Sequence, residues 1–457
     1  MTEPPKINFP LTQLNTESLE DVLEQHDKQF LVFSSAGKPI YAYHGNEEKL
    51  SSFMATAEAL MSVATASRSE SLRYIRQARG SGRNVVAFLD RSPICLVAIS
   101  TLAEPPAVLR MQLALIHGQL TSLLTASAVN SIFTKNPGYD ARRLLAGSDI
   151  MLGSLIKSFT STPNALLGAF PSFPLLPTLR TTIIENLKMA VAASNSLFGL
   201  IISGGSVVAL ASSNAKLRMQ QWDILLLLNF LKSNLSLRQA GTVFAPLCLP
   251  TYNPHGHLHA YIQFLDTQTD IAVVLLAGGA NPDFEQLSAA QEQLRTTLVE
   301  GGDSSGGILG ALRTASQELT CSQCRYTSLE TLKEALTRAG IGLGCLLHCV
   351  YKRSAAQQFV ATPWATVVEE DDAMKRDIIV AYSQLRAAMF DHSGEHVQGP
   401  LQTLRYEARK KFSLLALSGT GSELYLVLDC FVEKAEAVKA ASEVLRSLVN
   451  RHDALFF

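Results

Sequence analysis

The sequence predicts an α+β chain built from three copies of one unit, each a five-stranded antiparallel sheet with flanking helices. Three observations predict it. One element order (two strands, a helix, three strands, a helix) recurs three times along 457 residues. Strand-type runs separated by turn residues alternate with stretches whose apolar residues fall at helical spacing. The composition, 47% hydrophobic and 17% charged, describes a globular chain with large cores, and its length suits about three domains.

The first copy opens on FLVFSSAGKPIYAYHG, residues 30–45. A phosphate-cradling loop needs glycine five residues before Gly37-Lys38 and Ser or Thr after it. Val32 and Pro39 occupy those positions, so the stretch reads as a hairpin of residues 30–34 and 40–43 with its turn at Ala36-Gly37-Lys38. A helix over 48–67 follows, with the stripe Leu50, Phe53, Met54, Ala57, Leu60, Met61 and Ala64. Three strands come next, LRYIRQA, NVVAFLD and ICLVAIS, with turns at Gly80-Ser81-Gly82 and Arg91-Ser92-Pro93. A second helix carries Leu109, Leu113, Ile116, Leu120 and Leu123.

The second copy repeats the order. LFGLIIS and SVVALAS form a hairpin around Gly204-Gly205, and a helix holds Trp222, Leu225, Leu226 and Phe230. TVFAPLCL, LHAYIQFLD and IAVVLLA are its strands, and Phe284, Leu287, Leu294 and Leu298 mark its last helix. The third copy begins with GLGCLLHCVYK and QQFVATP and a helix using Ile378, Tyr382, Leu385 and Met389. LQTLRYEA, FSLLALS and ELYLVLDCF precede a terminal helix with Val438, Ala441, Leu445 and Leu448. The spacing leaves open which sheet face each helix covers. The expected division is an N-terminal extension (1–28), a first domain (29–163), a second with a preceding helix (164–300), a linker with a helical segment (301–340) and a third domain (341–457).

Charge excludes whole-chain attraction to nucleic acid, because Lys plus Arg is 39 against Asp plus Glu 40. The polar, proline-bearing start TEPPKINFP lacks the basic-then-apolar order of a signal peptide, and no apolar run is long enough to span a bilayer. Seven cysteines placed on apparent strands suggest reduced, buried thiols and a cytosolic chain.

Candidate chemistry is sparse. GGDSSGG (301–307) is a flexible joint, since Ser305 interrupts the serine-protease pattern it approaches. Cys321, Cys324, Cys345 and Cys349 have zinc-like spacing, but Cys345 and Cys349 in one strand would stand about 13 Å apart, with His348 on the opposite face. His255, His257 and His259 alternate and would share one strand face, yet no carboxylate is patterned to complete a metal site. The acidic run at 369–372 suits a helix start, and the basic ARKKF at 408–412 suits a solvated turn that could touch acidic lipid. No catalytic residue, metal or cofactor is expected.

FLVFSSAGKPIYAYHGNEEKLSSFM, YDARRLLAGS, DILLLLNFL, PLCLPTYNPHGHLHAYIQFLDTQTD, VYKRSAAQQFVATP and the C-terminal ELYLVLDCFVEKAEAVKAASEVLRSLVNRHDALF together resemble the Mon subunit of the Mon–Ccz complex, in family order from residue 29 to 457. The resemblance implies three longin domains. It implies that the chain, with a Ccz-type longin protein as obligate partner, forms a guanine-nucleotide exchange factor for the late-endosomal Rab-seven type GTPase. It implies a cytoplasmic protein recruited peripherally to late endosome and vacuole or lysosome membranes, with a phosphoinositide or acidic endosomal surface as a further partner. The family's long acidic N-terminal region is reduced here to residues 1–28, so the chain reads as a truncated core. In the family the first longin domains of the two subunits join and the Rab docks across the joint. That assigns GTPase or partner contact to the outer side of the first helix, through Glu47, Glu48, Lys49, Ser52 and Thr56 with Glu58 beside them, together with Lys38 at the hairpin tip. An exchange factor needs no acid, base or metal of its own. A trafficking scaffold without exchange activity and a metal-dependent enzyme are the competing readings.

Overall fold

A computed structural model describes residues 22–23, 25–68, 71–76, 84–145, 147–279, 282–301, 307–320, 330–390 and 403–457. They divide into two compact bodies, one from residues up to 120 with 126–153, the other from 121–125 with 154–457.

The first body holds the first copy. Its strands are β1 (Lys28–Ser34), β2 (Pro39–Ala42), β3 (Tyr74–Arg76), β4 (Val85–Arg91) and β5 (Ile94–Ser100), with helix α1 (Ser51–Arg68) between β2 and β3. They form an antiparallel sheet in the order β2-β1-β5-β4-β3. Gly37 turns the hairpin at φ +72°, and a Cβ there would stand 3.1 Å from Ala55 Cα, so the turn rests directly on α1. Every residue of β1 and β5 is buried, which requires cover on both faces. Leu50, Phe53, Met54, Ala57 and Met61 close one face over Leu31, Phe33, Val97 and Ile99. Each of these side chains larger than Ala57 contributes about 1.5–3 kcal/mol by leaving water. After β5 come α2 (Pro106–Leu124), whose Leu109, Leu113, Ile116 and Leu120 are fully buried, and α3 (Ala126–Lys135). The third strand starts at Tyr74, two residues later than its sequence suggests, and residues 77–83, with the turn expected at 80–82, lie outside the described residues.

Helix α4 (Asp149–Ser161), α5 (Asn164–Leu167), the two-residue strand β6 (Phe170–Pro171) and α6 (Pro177–Ala193) lead into the second copy. There β7 (Phe198–Ser203), β8 (Ser206–Ser212), α7 (Gln221–Ser233), α8 (Leu235–Ala240), β9 (Thr242–Leu247), β10 (Leu258–Asp266), β11 (Ile271–Ala277) and α9 (Phe284–Glu300) follow. The sheet order, β8-β7-β11-β10-β9, repeats that of the first copy. The structure decides what the spacing left open: α7 packs on the face of Phe198, Leu200, Val274 and Leu276, while α6 and α9 pack on the face of Ile201, Val273 and Leu275.

The stretch expected to be a linker with a helical segment contains two helices that join opposite cores. Helix α10 (Gly307–Thr320) adds Ile308, Leu309 and Leu312 to the second copy, and α11 (Glu330–Ala339) adds Leu332, Ala335 and Leu336 to the third. Of the joint at 301–307, only its end glycines are described. A Cβ on Gly307, at φ +64°, would fall 2.2 Å from the Val299 carbonyl oxygen, so glycine is required there.

In the third copy β12 (Leu346–Arg353) and β13 (Gln358–Ala361) precede α12 (Thr366–Glu369) and α13 (Asp372–Met389). Strands β14 (Leu404–Ala408), β15 (Phe412–Gly419) and β16 (Ser422–Asp429) precede α14 (Lys434–Val449) and α15 (His452–Leu455). This sheet has six strands, not the expected five, in the order β14-β15-β16-β12-β13-β6. β6 lies parallel to β13, and Ser172 bridges onward to Val207 of β8. One extended segment therefore closes the hairpin edges of both sheets, which would otherwise present unpaired backbone groups. No periodicity announces a strand of two residues. Arg180 of α6, buried, locks the same junction by donating to the carbonyls of Phe173, Val208 and Ala454.

Candidate functional site

Helices α1, α7 and α13 occupy the same place in the three copies, yet their surroundings differ. α7 is buried nearly all round, through Gln221, Asp223, Asn229 and its leucines. α13 likewise buries residues on every side, from Met374 through Ile378–Ser383 in number order to Met389. α1 buries only Phe53, Met54, Ala57 and Met61. Its outer side exposes Ser52, Ala55, Ala59, Ser62, Val63 and Ala66, which fall on one stripe at helical spacing. A solvated helix face usually carries Lys, Glu and Arg. This one is small and uncharged, a surface that another backbone can approach closely. Apart from Ser52, the contacts read from the sequence do not include these residues, although the small side chains were legible at i, i+3 and i+7.

The charges assigned to partner contact lie at one end of that face, and Lys38 and Glu48 among them have partners within the chain. Helix α1 begins at Ser51, so Glu47, Glu48 and Lys49 form its approach turn and not its outer face, where the sequence had placed them. Leu60, expected to be buried, is half exposed. Lys38 Nζ donates to the Gly138 carbonyl at 2.6 Å, and Glu48 pairs with Arg142 at 3.4 Å. Thr56 is half buried and its hydroxyl donates to the Ser52 carbonyl, while Glu58 accepts from Ser62 at 2.6 Å. Ser52 is exposed on the outer side.

Arg142, which engages Glu48, lies in YDARRLLAGS, and Gly138, which engages Lys38, directly precedes that stretch; sequence reasoning missed the role of both. Asp140 caps the 3-10 turn Ala141–Leu144 and grips Arg142 through two bonds, Nε to Oδ1 at 2.9 Å and Nη2 to Oδ2 at 2.8 Å. Those bonds hold the Asp140 carboxyl down to about 2. Exposed pairs of this kind stabilise little. The segment is anchored instead by Ala141 and Leu145, both buried.

Other candidates separate. Cys345 ends a 3-10 turn (Leu343–Cys345) and is not in the strand as expected, and Cys321 and Cys324 lie outside the described residues. Cys349 points into the core, where burial pushes its thiol up to about 12, so it stays protonated and is a poor ligand. His348, on the other face of β12, stacks on Trp364 and bonds Tyr382. Purified protein dialysed against a chelator is therefore expected to hold less than one zinc per chain by metal analysis; stoichiometric zinc would contradict this. Of the three alternating histidines, only His259 is in a strand, because β10 starts at Leu258; the shared face expected of them does not form. No cluster of three metal-type ligands occurs among the described residues. Asp371 caps α13 by accepting from Met374 N, as the acidic run suggested. In the basic turn, Arg409 bonds Gln384 and Glu407, and Lys411 pairs with Asp371, so much of its charge is answered within the chain.

Comparison with known proteins gives a consistent result along the chain. Residues 28–155, 194–295 and 345–452 match the families described as the first, second and third longin domains of FUZ, MON1 and HPS1. The chain is similar to Protein SAND of Takifugu rubripes, 30% identical over 434 residues, covering 94% of this chain and 76% of that one. It is similar to the human vacuolar fusion protein MON1 homolog A, 30% identical over 456 residues, which are 100% of this chain and 64% of the relative. The Arabidopsis thaliana vacuolar fusion protein MON1 homolog is 30% identical over 440 residues, 94% of this chain and 69% of the relative.

Proposed function

The chain belongs to the three-longin family of FUZ, MON1 and HPS1, on its MON1 side, and from that premise we propose that it acts in vacuole fusion as one subunit of a heterodimeric exchange factor. Its partner in this proposal is a Ccz-type longin protein, and its target is the Rab-seven type GTPase that licenses fusion of late endosomes and autophagosomes with the vacuole or lysosome. The observation that carries the proposal is the free face of α1. In the second and third copies the equivalent helices are closed over by the chain itself. Only α1, of the three, is left to receive a longin domain from outside.

The reaction asks for no covalent chemistry. An exchange factor binds the nucleotide-free GTPase more tightly than the loaded one, and by linkage it weakens nucleotide binding by the same factor. Preorganised surface suffices, and the 138–145 segment holds the hairpin tip and the approach turn beside α1 in place. Peripheral recruitment to acidic late-endosomal and vacuolar membranes belongs to the same proposal. No helix among the described residues is long and apolar enough to cross a membrane.

Because the platform is shared, the chain alone is expected to release nucleotide from the GTPase poorly; full activity without the partner would refute the shared platform. Reversing charge at Glu47, Glu48 and Lys49 together should slow exchange with the fold intact, since Glu48 and Lys49 are exposed and Glu47 is only half-buried, and surface substitutions change stability by about 0.5 kcal/mol each. Reversal of Lys434 and Lys439 on α14 is the control. Glu436 of that helix is left alone because it closes the capping box with Glu433. Equal, unimpaired exchange by both variants, with normal partner binding, would move the platform away from α1.

A further inference from the structure

No further inference is drawn: the strongest candidate, the partly exposed aromatic cluster of Phe244, His259, Tyr261 and Phe284 beside the open β9 edge of the second copy, carries nothing because nothing in the structure shows what covers it.

Discussion

A chain carrying Ala59→Arg is expected to keep its fold and to bind the proposed Ccz-type partner about 30-fold more weakly or worse, a loss of ~2 kcal/mol. Ala59 sits in the middle of the exposed stripe of α1, with Ala55 and Ser62 on either side. Arginine is nearly as good a helix former as alanine, and a solvated position tolerates it within about 0.5 kcal/mol. A face closed by a partner helix does not. There the guanidinium would be stripped of water, lack a counter-charge and hold the two backbones apart. Titration calorimetry with the partner reads the affinity, and the urea midpoint reads the fold. Unchanged affinity would show that the stripe faces water in the complex, and the site would have to lie elsewhere.

Glu423→Gln is expected to destabilise the third domain by about 3–5 kcal/mol, the usual result of breaking a buried ion pair from one side. Glu423 accepts from Lys352 Nζ at 2.7 Å, Arg386 Nε at 3.2 Å and the Tyr425 hydroxyl at 2.7 Å, all beneath α13. The amide would leave two buried cations without a counter-charge. Burial alone would raise the Glu423 carboxyl, but the Arg386 and Lys352 charges, with the bonds from Lys352 and Tyr425, hold it at about 2. The folded value lies below the unfolded one, so this stabilisation is complete above about pH 4.5 and is lost as pH falls toward 2. The wild type should therefore lose stability on acidification in a window where the Gln variant changes less. Trp364, stacked on His348 under the same helix, reports the transition in a Trp222→Phe background. A variant as stable as the wild type, or one with the same acid sensitivity, would contradict the account of this network.

The repeat was legible because strands such as Ile271–Ala277 and helices such as Phe284–Glu300 carry their periodicity in local sequence. What the sequence hid is tertiary. Phe170–Pro171 becomes a strand only because β13 and β8 offer open edges to it. The helices at 307–320 and 330–339 looked like linker because nothing local says which core receives them. The contact residues read from the sequence, Lys38, Glu47, Glu48, Lys49, Ser52 and Thr56, follow charge and polarity, which point to the approach turn. The more informative feature, an open face on α1 beside closed faces on α7 and α13, appears only when three burial environments are compared.

We propose that this chain and a Ccz-type protein together discharge the nucleotide of a Rab-seven type GTPase. Release of a fluorescent GDP from that GTPase, followed with the chain, the partner, both, and both with Ala59→Arg, tests it most directly. The wild-type pair alone is expected to accelerate release, with either subunit by itself and the variant pair close to the spontaneous rate. A stable pair that leaves the rate unchanged would instead make the chain a longin scaffold without exchange activity, and would contradict the claim.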